Sequence, residues 1–286
     1  MIVALDRSTS MQQHVFDSTT RLQAAQDAIV AATGNHPGIW FGLELFPSST
    51  DCNGASCCAG SVSVQPTFNQ STSIETQMAC GSGDAGCPTA GDDSPSPSAL
   101  QQCREYFVAE GSQGGRSSQF VLLMTDQDPT CAADSFADGT PCTSGTNEAG
   151  KLGARNVGVQ TFVVALNGDA QATTCLEGMA AANASSFGGN LQFFSVTDQQ
   201  GLQSALETIM IAAEANLCRF SLVHPAANPS QVVVVVNGTP VQPDPTGQQG
   251  WTYSDATSSE VVLSGAACSQ WLSGGASSPQ VMACSQ

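Results

Sequence analysis

The chain has 286 residues, 41% of them hydrophobic, and carries 24 acidic against 7 basic side chains for a formal charge of -17. That length accommodates one large α/β domain with a small companion, or two medium domains. So acidic a chain, with Lys151 its lone lysine, argues against nucleic acid or an anionic membrane face as partner, since both demand basic side chains.

Ile2 to Leu5 read as a short apolar strand, followed by "DRSTSM", which sets Asp6, Ser8 and Ser10 on alternate positions. "STTRLQAAQDAIVAAT" then spaces Leu22, Ala25, Ile29 and Ala32 for a helix, with Ser18 available as N-cap. "GIWFGLELF" predicts a buried strand halted by Pro47, and "SVSVQPTF" an edge strand. A Ser/Gly/Asp-rich stretch over 69–93 holds one short helical candidate, Ile74 to Ala79. "SPSALQQCREYFVAE" places Leu100, Cys103 and Phe107 on one helical face, and "QFVLLMTD" is an apolar strand ending in Asp126. Further on come a helix over Glu148 to Asn156, the strand "VGVQTFVVAL", the helix "TTCLEGMAAANAS", the strand "LQFFSV" and a long amphipathic helix. Strands apolar on both faces, alternating with helices, predict a doubly wound, mostly parallel six-stranded sheet.

The texture changes at Cys218. Short strands separated by turn residues, with no helical period among them, predict a small disulfide-stapled all-β domain over 218–286 behind a first domain at 1–217. Asn237-Gly238 between apolar runs signals a type I′ hairpin. The apolar "QVVVVVN" reads as the core strand of that small domain, or as an edge able to extend a neighbour's sheet.

Twelve cysteines lie mostly in polar loops: Cys52, Cys57, Cys58, Cys80, Cys87, Cys131 and Cys142 in the first domain, and Cys218, Cys268 and Cys284 in the second, with Cys103 and Cys175 in helix-like segments. Zinc is a poor account of them. No C-x-x-C pair exists, and His14, His36 and His224 are scattered. Disulfides formed in an oxidising compartment fit better. Short loop closure suggests Cys80–Cys87 and Cys131–Cys142, and the odd count behind residue 217 suggests one bond back to Cys175. An exported chain needs a leader; because Met1 opens directly on a strand, a leader or anchor is expected upstream of this sequence. No apolar run approaches the roughly 20 residues that span a bilayer.

In a parallel α/β sheet, ligands bind outside the carboxyl ends of the strands where strand order reverses. Two strands end there in aspartate, Asp6 and Asp126, and "GDDSPSPSAL" adds hydroxyls ahead of a helix. Carboxylates, hydroxyls and water are the donors of a hard dication. The sequence lacks H-E-x-x-H, G-x-S-x-G and the P-loop pattern, so an enzyme is not expected. Asn69, Asn183 and Asn237 head N-x-S/T triplets that chance explains.

"DRSTSM" after a strand resembles the D-x-S-x-S signature of von Willebrand factor type A (VWA) domains, which opens their metal-ion-dependent adhesion site (MIDAS). The family's T-x-T-x-x-A-L stretch is matched by "SPSPSAL", and its strand-end aspartate by Asp126; the resemblance runs over about residues 1–215, with cysteine-rich insertions near 48–93 and 127–145. It implies a MIDAS of Asp6, Ser8, Ser10, Ser94 and Asp126, with Ser96 and Asp93 as alternates. The cation would be magnesium, or manganese or calcium, and the vacant position would take a Glu or Asp carboxylate from a protein partner. Serine at 94 lacks the methyl of threonine, and Gln127 stands where many relatives have glycine. The implied role is an extracellular or cell-surface adhesion protein. The alternative is a self-associating structural subunit of a surface appendage, its metal site only structural.

Overall fold

The computed structural model describes every residue except 14, 17, 49–58, 80–92, 111–117, 133–139, 167–169, 185–191, 223–224, 227, 255, 274–279 and 284–286. Packing divides the chain into two units, the first reaching Ile209 with short interruptions and the second built on Met210–Gln286 with His36–Ile39.

In the first unit the elements run β1 (Ile2–Asp6), α1 (Thr9–Gln13), β2 (Val15–Phe16), β3 (Thr19–Thr20), α2 (Arg21–Asn35), β4 (Phe41–Phe46), β5 (Val62–Thr67), α3 (Ser71–Met78), α4 (Ser96–Glu110), β6 (Gln119–Thr125), α5 (Pro141–Gly153), β7 (Val159–Leu166), α6 (Ala170–Ala184), β8 (Phe193–Val196) and α7 (Gln199–Leu217). The division between the units falls inside α7. Six strands form one sheet in the order β5-β4-β1-β6-β7-β8, parallel throughout except for β5 at one edge. This is the doubly wound architecture that the alternation predicts, with the order reversing between β1 and β6. Ile2, Ala4, Val121 and Leu123 share one sheet face and join the core beneath α4, α5 and α6. Val3, Leu5 and Leu122 point the other way and are equally buried, so both faces are covered.

Local chemistry departs from the sequence reading in three places. The cap of α2 is Thr20, whose Oγ1 accepts from Gln23 N at 3.1 Å, because a short β2–β3 hairpin carries the chain past Ser18. Helix α5 starts at Pro141 rather than near Glu148, with Thr140 as N-cap and Pro in the first turn. Its early turns are Gly/Ser/Thr-rich, a weak helical signal, yet small residues suit the packing against α6: a Cβ on Gly145 would come within 2.2 Å of the Met179 methyl. There Cys142 bonds Cys175 across the two helices, Cα–Cα 5.7 Å. The expected Cys131–Cys142 bond is therefore absent and Cys175 is unavailable to the second unit; Cys131 is disulfide-bonded elsewhere. Cys52, Cys57, Cys58, Cys80, Cys87 and Cys284 lie outside the described residues. Asn183 is no glycan acceptor: it is fully buried, its amide donating to Ala149 O and Val159 O.

The second unit comprises β9 (Arg219–Ser221), β10 (Val232–Val236), β11 (Thr239–Val241), β12 (Gly250–Tyr253), β13 (Glu260–Ser264), α8 (Ala266–Ser273) and β14 (Gln280–Ala283). Two three-stranded sheets, β11-β10-β14 and β12-β13-β9, share a core of valines with Trp251 and Trp271. The turn at Asn237 and Gly238 has φ of 49° and 77°, the left-handed pair that a type I′ hairpin requires. The unit is not all-β, because α8 buries Ala267 and Trp271 one turn apart. Cys268 on that helix bonds Cys218. Strand β10, the "VVVVV" run, is paired on both sides, so it cannot serve as a free edge.

One buried acid in the first unit is independent of the site described below. Glu44 on β4 is wholly buried; the Cys103 thiol donates to its Oε2 at 3.1 Å, and Oε1 has no hydrogen-bond partner among the described residues. Burial pushes its carboxyl well above the ordinary 4.5. As pH rises past 4.5 the unfolded chain releases this proton while the folded one keeps it, so stability falls with pH across that window. Glu44→Gln is expected to flatten that fall, its melting temperature gaining on the native protein steadily from pH 4.5 to 8. Parallel profiles in thermal melts would contradict this.

Candidate metal centre

Strands β1 and β6 are parallel neighbours, with Leu5 paired to Met124, so Asp6 and the Thr125-Asp126 pair emerge side by side at the carboxyl edge. This is the point at which the strand order reverses. Ser8 follows on the turn into α1, Ser10 is the second residue of that helix, and Ser94 lies just ahead of α4.

The polar atoms there form one continuous chain. Ser94 Oγ donates to Asp6 Oδ2 at 2.7 Å, and Thr125 Oγ1 donates to the same oxygen at 2.6 Å. Ser8 N donates to Asp6 Oδ1 at 2.8 Å, and the Ser8 and Ser10 hydroxyls lie 3.0 Å apart. Ser10 Oγ donates to Asp126 Oδ1 at 2.7 Å. Asp6, Ser8 and Ser94 are fully buried and Asp126 nearly so. Burial raises the Asp6 carboxyl to about 6, against the lowering pull of the Thr125, Ser8 and Ser94 donors.

All five residues expected at the site thus meet, although they come from three separate segments, with Ser94 88 positions from Asp6 and Asp126 116 from Ser10. Ser96 stands behind Ser94, hydroxyl to hydroxyl 3.1 Å, and is buried. Asp93 turns away to accept from Thr130 at 3.2 Å, while Thr130 Oγ1 accepts from Ser94 N and so pins the serine loop. Gln127 does reach the rim, its amide 3.4 Å from Ser8 Oγ. Arg7 stays clear of the carboxylates, its guanidinium donating to Pro47 O.

Sequence reasoning missed two participants. Thr125 was visible only as a strand residue. Arg21, the first residue of α2, places Nη1 2.5 Å from Asp126 Oδ2, with side chains 11% and 1% exposed. A cation in the first turn of a helix opposes the helix dipole, and that mismatch was the available signal.

The donor set fits a small hard dication. Two oxygens bound at right angles about 2.1 Å from magnesium lie about 3 Å apart, and the Ser8–Ser10 and Ser10–Asp126 spacings of 3.0 and 2.7 Å are of that order. Among the described residues no three His, Cys, Asp or Glu side chains converge. The donors beyond the two carboxylates are hydroxyls, a hard-ion set rather than a soft-ion one.

No protein-family model and no curated protein matches the chain. Solved structures do. The pilus adhesin SpaC from Lactobacillus rhamnosus GG shares 12% identity over 92% of this chain and 37% of that one, with a TM-score of 0.54. A D319A mutant of the PilB minor pilin from Streptococcus sanguinis shares 14% over 74% of this chain and 60% of that one, TM-score 0.51. Proximal thread matrix protein 1 from the mussel byssus shares 21% over 79% and 48%, TM-score 0.49. The chain spans about half the length of these proteins. At such identities the likeness is one of fold.

The geometry also makes Asp126 a stability determinant. Asp126→Ala removes the carboxylate that Arg21 Nη1 contacts in a nearly dry setting and is expected to cost on the order of 3 kcal/mol in urea unfolding. Adding Arg21→Leu to that variant should recover part of the loss. A cost near zero would show that solvent screens the pair.

Proposed function

We propose that the chain is a binding module of the cell surface or extracellular space, in which a divalent cation at the sheet's carboxyl edge engages an acidic residue of a protein partner. The observation that carries this reading is the unbroken Ser94–Asp6–Ser8–Ser10–Asp126 chain at the reversal of strand order. In this reading Ser8 and Ser10 would ligate the ion directly. Ser94 would ligate it directly or through water, and Asp6 and Asp126 would hold the hydroxyls and coordinated water or bind the ion themselves. The ion supplies a coordination position for an anionic oxygen. The chain's own part is to keep two carboxylates dry and aimed, so that their charge is not dissipated in water.

Support comes from three sides: the D-x-S-x-S resemblance to VWA domains, the disulfides Cys142–Cys175 and Cys218–Cys268, and the fold likeness to a pilus adhesin and a minor pilin. Among the described residues no helix is long and apolar enough to cross a membrane. The site's serines are engaged by carboxylates and by one another, an arrangement suited to ligation, and we read the chain as a binder rather than an enzyme. Magnesium is the favoured ion. The appendage-subunit alternative loses the feature that suggested it, since β10 has no free edge, while the pilin likeness keeps an appendage as a home for the binder.

Titration calorimetry with magnesium, manganese and calcium tests the reading. One site is expected, and an ion at 100 times its Kd should stabilise the fold by about 2.7 kcal/mol. Ser8→Ala should abolish both heat and stabilisation with the circular dichroism spectrum unchanged. No heat from any of the three ions would reject it.

A further inference from the structure

The charge nearest the cluster's acidic end is one the protein provides for itself. Arg21 Nη1 stands 2.5 Å from Asp126 Oδ2, while the other oxygen of that carboxylate accepts from Ser10, so both carboxylate oxygens are engaged. Arg21 is 11% exposed and Asp126 1%, so water screens the pair weakly. Arg21 is also one of only 7 basic side chains in the protein, placed where the α2 dipole disfavours a cation. What the position offers is reach to Asp126.

We propose that Arg21 is an internal counter-cation that competes with the dication for Asp126 and thereby sets the metal affinity of the site. The inference rests on the cation-site reading above. In the metal-free chain the guanidinium neutralises Asp126 and keeps the cluster assembled. A dication held by the Ser8 and Ser10 hydroxyls, one of which already bonds Asp126, arrives beside a fixed positive charge. Either the two cations repel across the shared carboxylate, or Arg21 gives up Oδ2 and swings outward. Both routes lower affinity, and both are absent when residue 21 is uncharged. Arg7, the other guanidinium close in sequence to the cluster, is turned to Pro47 O, to which its Nε and Nη2 donate.

The test is manganese calorimetry on the full chain, comparing the native protein with Arg21→Gln and Arg21→Lys, together with thermal melts in excess chelator. Arg21→Gln should bind manganese on the order of tenfold tighter. It should also melt at a lower temperature than the native protein in chelator, a gap that narrows as manganese is added. Arg21→Lys, which keeps the charge, should bind like the native chain. If the glutamine variant does not fold, Arg21→Met, which keeps the apolar stem, replaces it. Equal or weaker manganese binding by the uncharged variant overturns the counter-cation role and leaves the cation site standing. No manganese binding by either protein overturns both.

Discussion

Everything at the carboxyl edge hangs on one buried carboxylate. Asp6 ends the central strand β1 with no exposed surface, and its two oxygens accept from three segments: the turn after β1 through Ser8 N, the approach to α4 through Ser94 Oγ, and the end of β6 through Thr125 Oγ1. An unpaired carboxylate in such a place is costly, and burial does raise Asp6 to about 6. The donors offset that cost and in doing so fix their own positions. The loops that would present hydroxyls to a cation are thus aligned by the acid they solvate.

The topology explains why this happens here. Crossovers leave β1 and β6 toward opposite edges, the arrangement whose carboxyl end is the usual place for a ligand in such sheets. Asp6 ends β1 and Asp126 follows β6 at that point. Two carboxylates this close repel, and the protein answers with Arg21 on the Asp126 side and with hydroxyls on the Asp6 side. The remaining deficit of positive charge is what a dication would supply. In the proposed reading, one internal cation and one external cation would share a single acidic pair.

Local features were legible in the sequence and distant ones were not. "DRSTSM" and "LLMTD" announce themselves because the strand, its terminal acid and the following hydroxyls are contiguous, and the strand–helix alternation gives the sheet. Ser94 was reached only through resemblance to a family motif. Arg21 was missed because nothing in "TTRLQAA" points across 105 positions to Asp126. The early turns of α5 escaped because glycine and serine hide a helix whose stability comes from packing on α6 and the Cys142–Cys175 bond. Helix α8 escaped because eight residues are too short for a period to show, although Ala267 and Trp271 carry one. The Cys131–Cys142 guess came from sequence proximity and the Cys175 guess from an odd cysteine count, whereas the bonds observed join Cys142 to Cys175 and Cys218 to Cys268, 33 and 50 positions apart.

The most direct measurement is anomalous diffraction from a manganese-soaked crystal of the chain. The account predicts a single strong peak within bonding distance of Ser8 Oγ and Ser10 Oγ, beside Asp6 and Asp126, with a coordination position open to solvent. A crystal saturated with manganese that shows no peak there, the Ser8–Ser10–Asp126 hydrogen bonds unchanged, would contradict it.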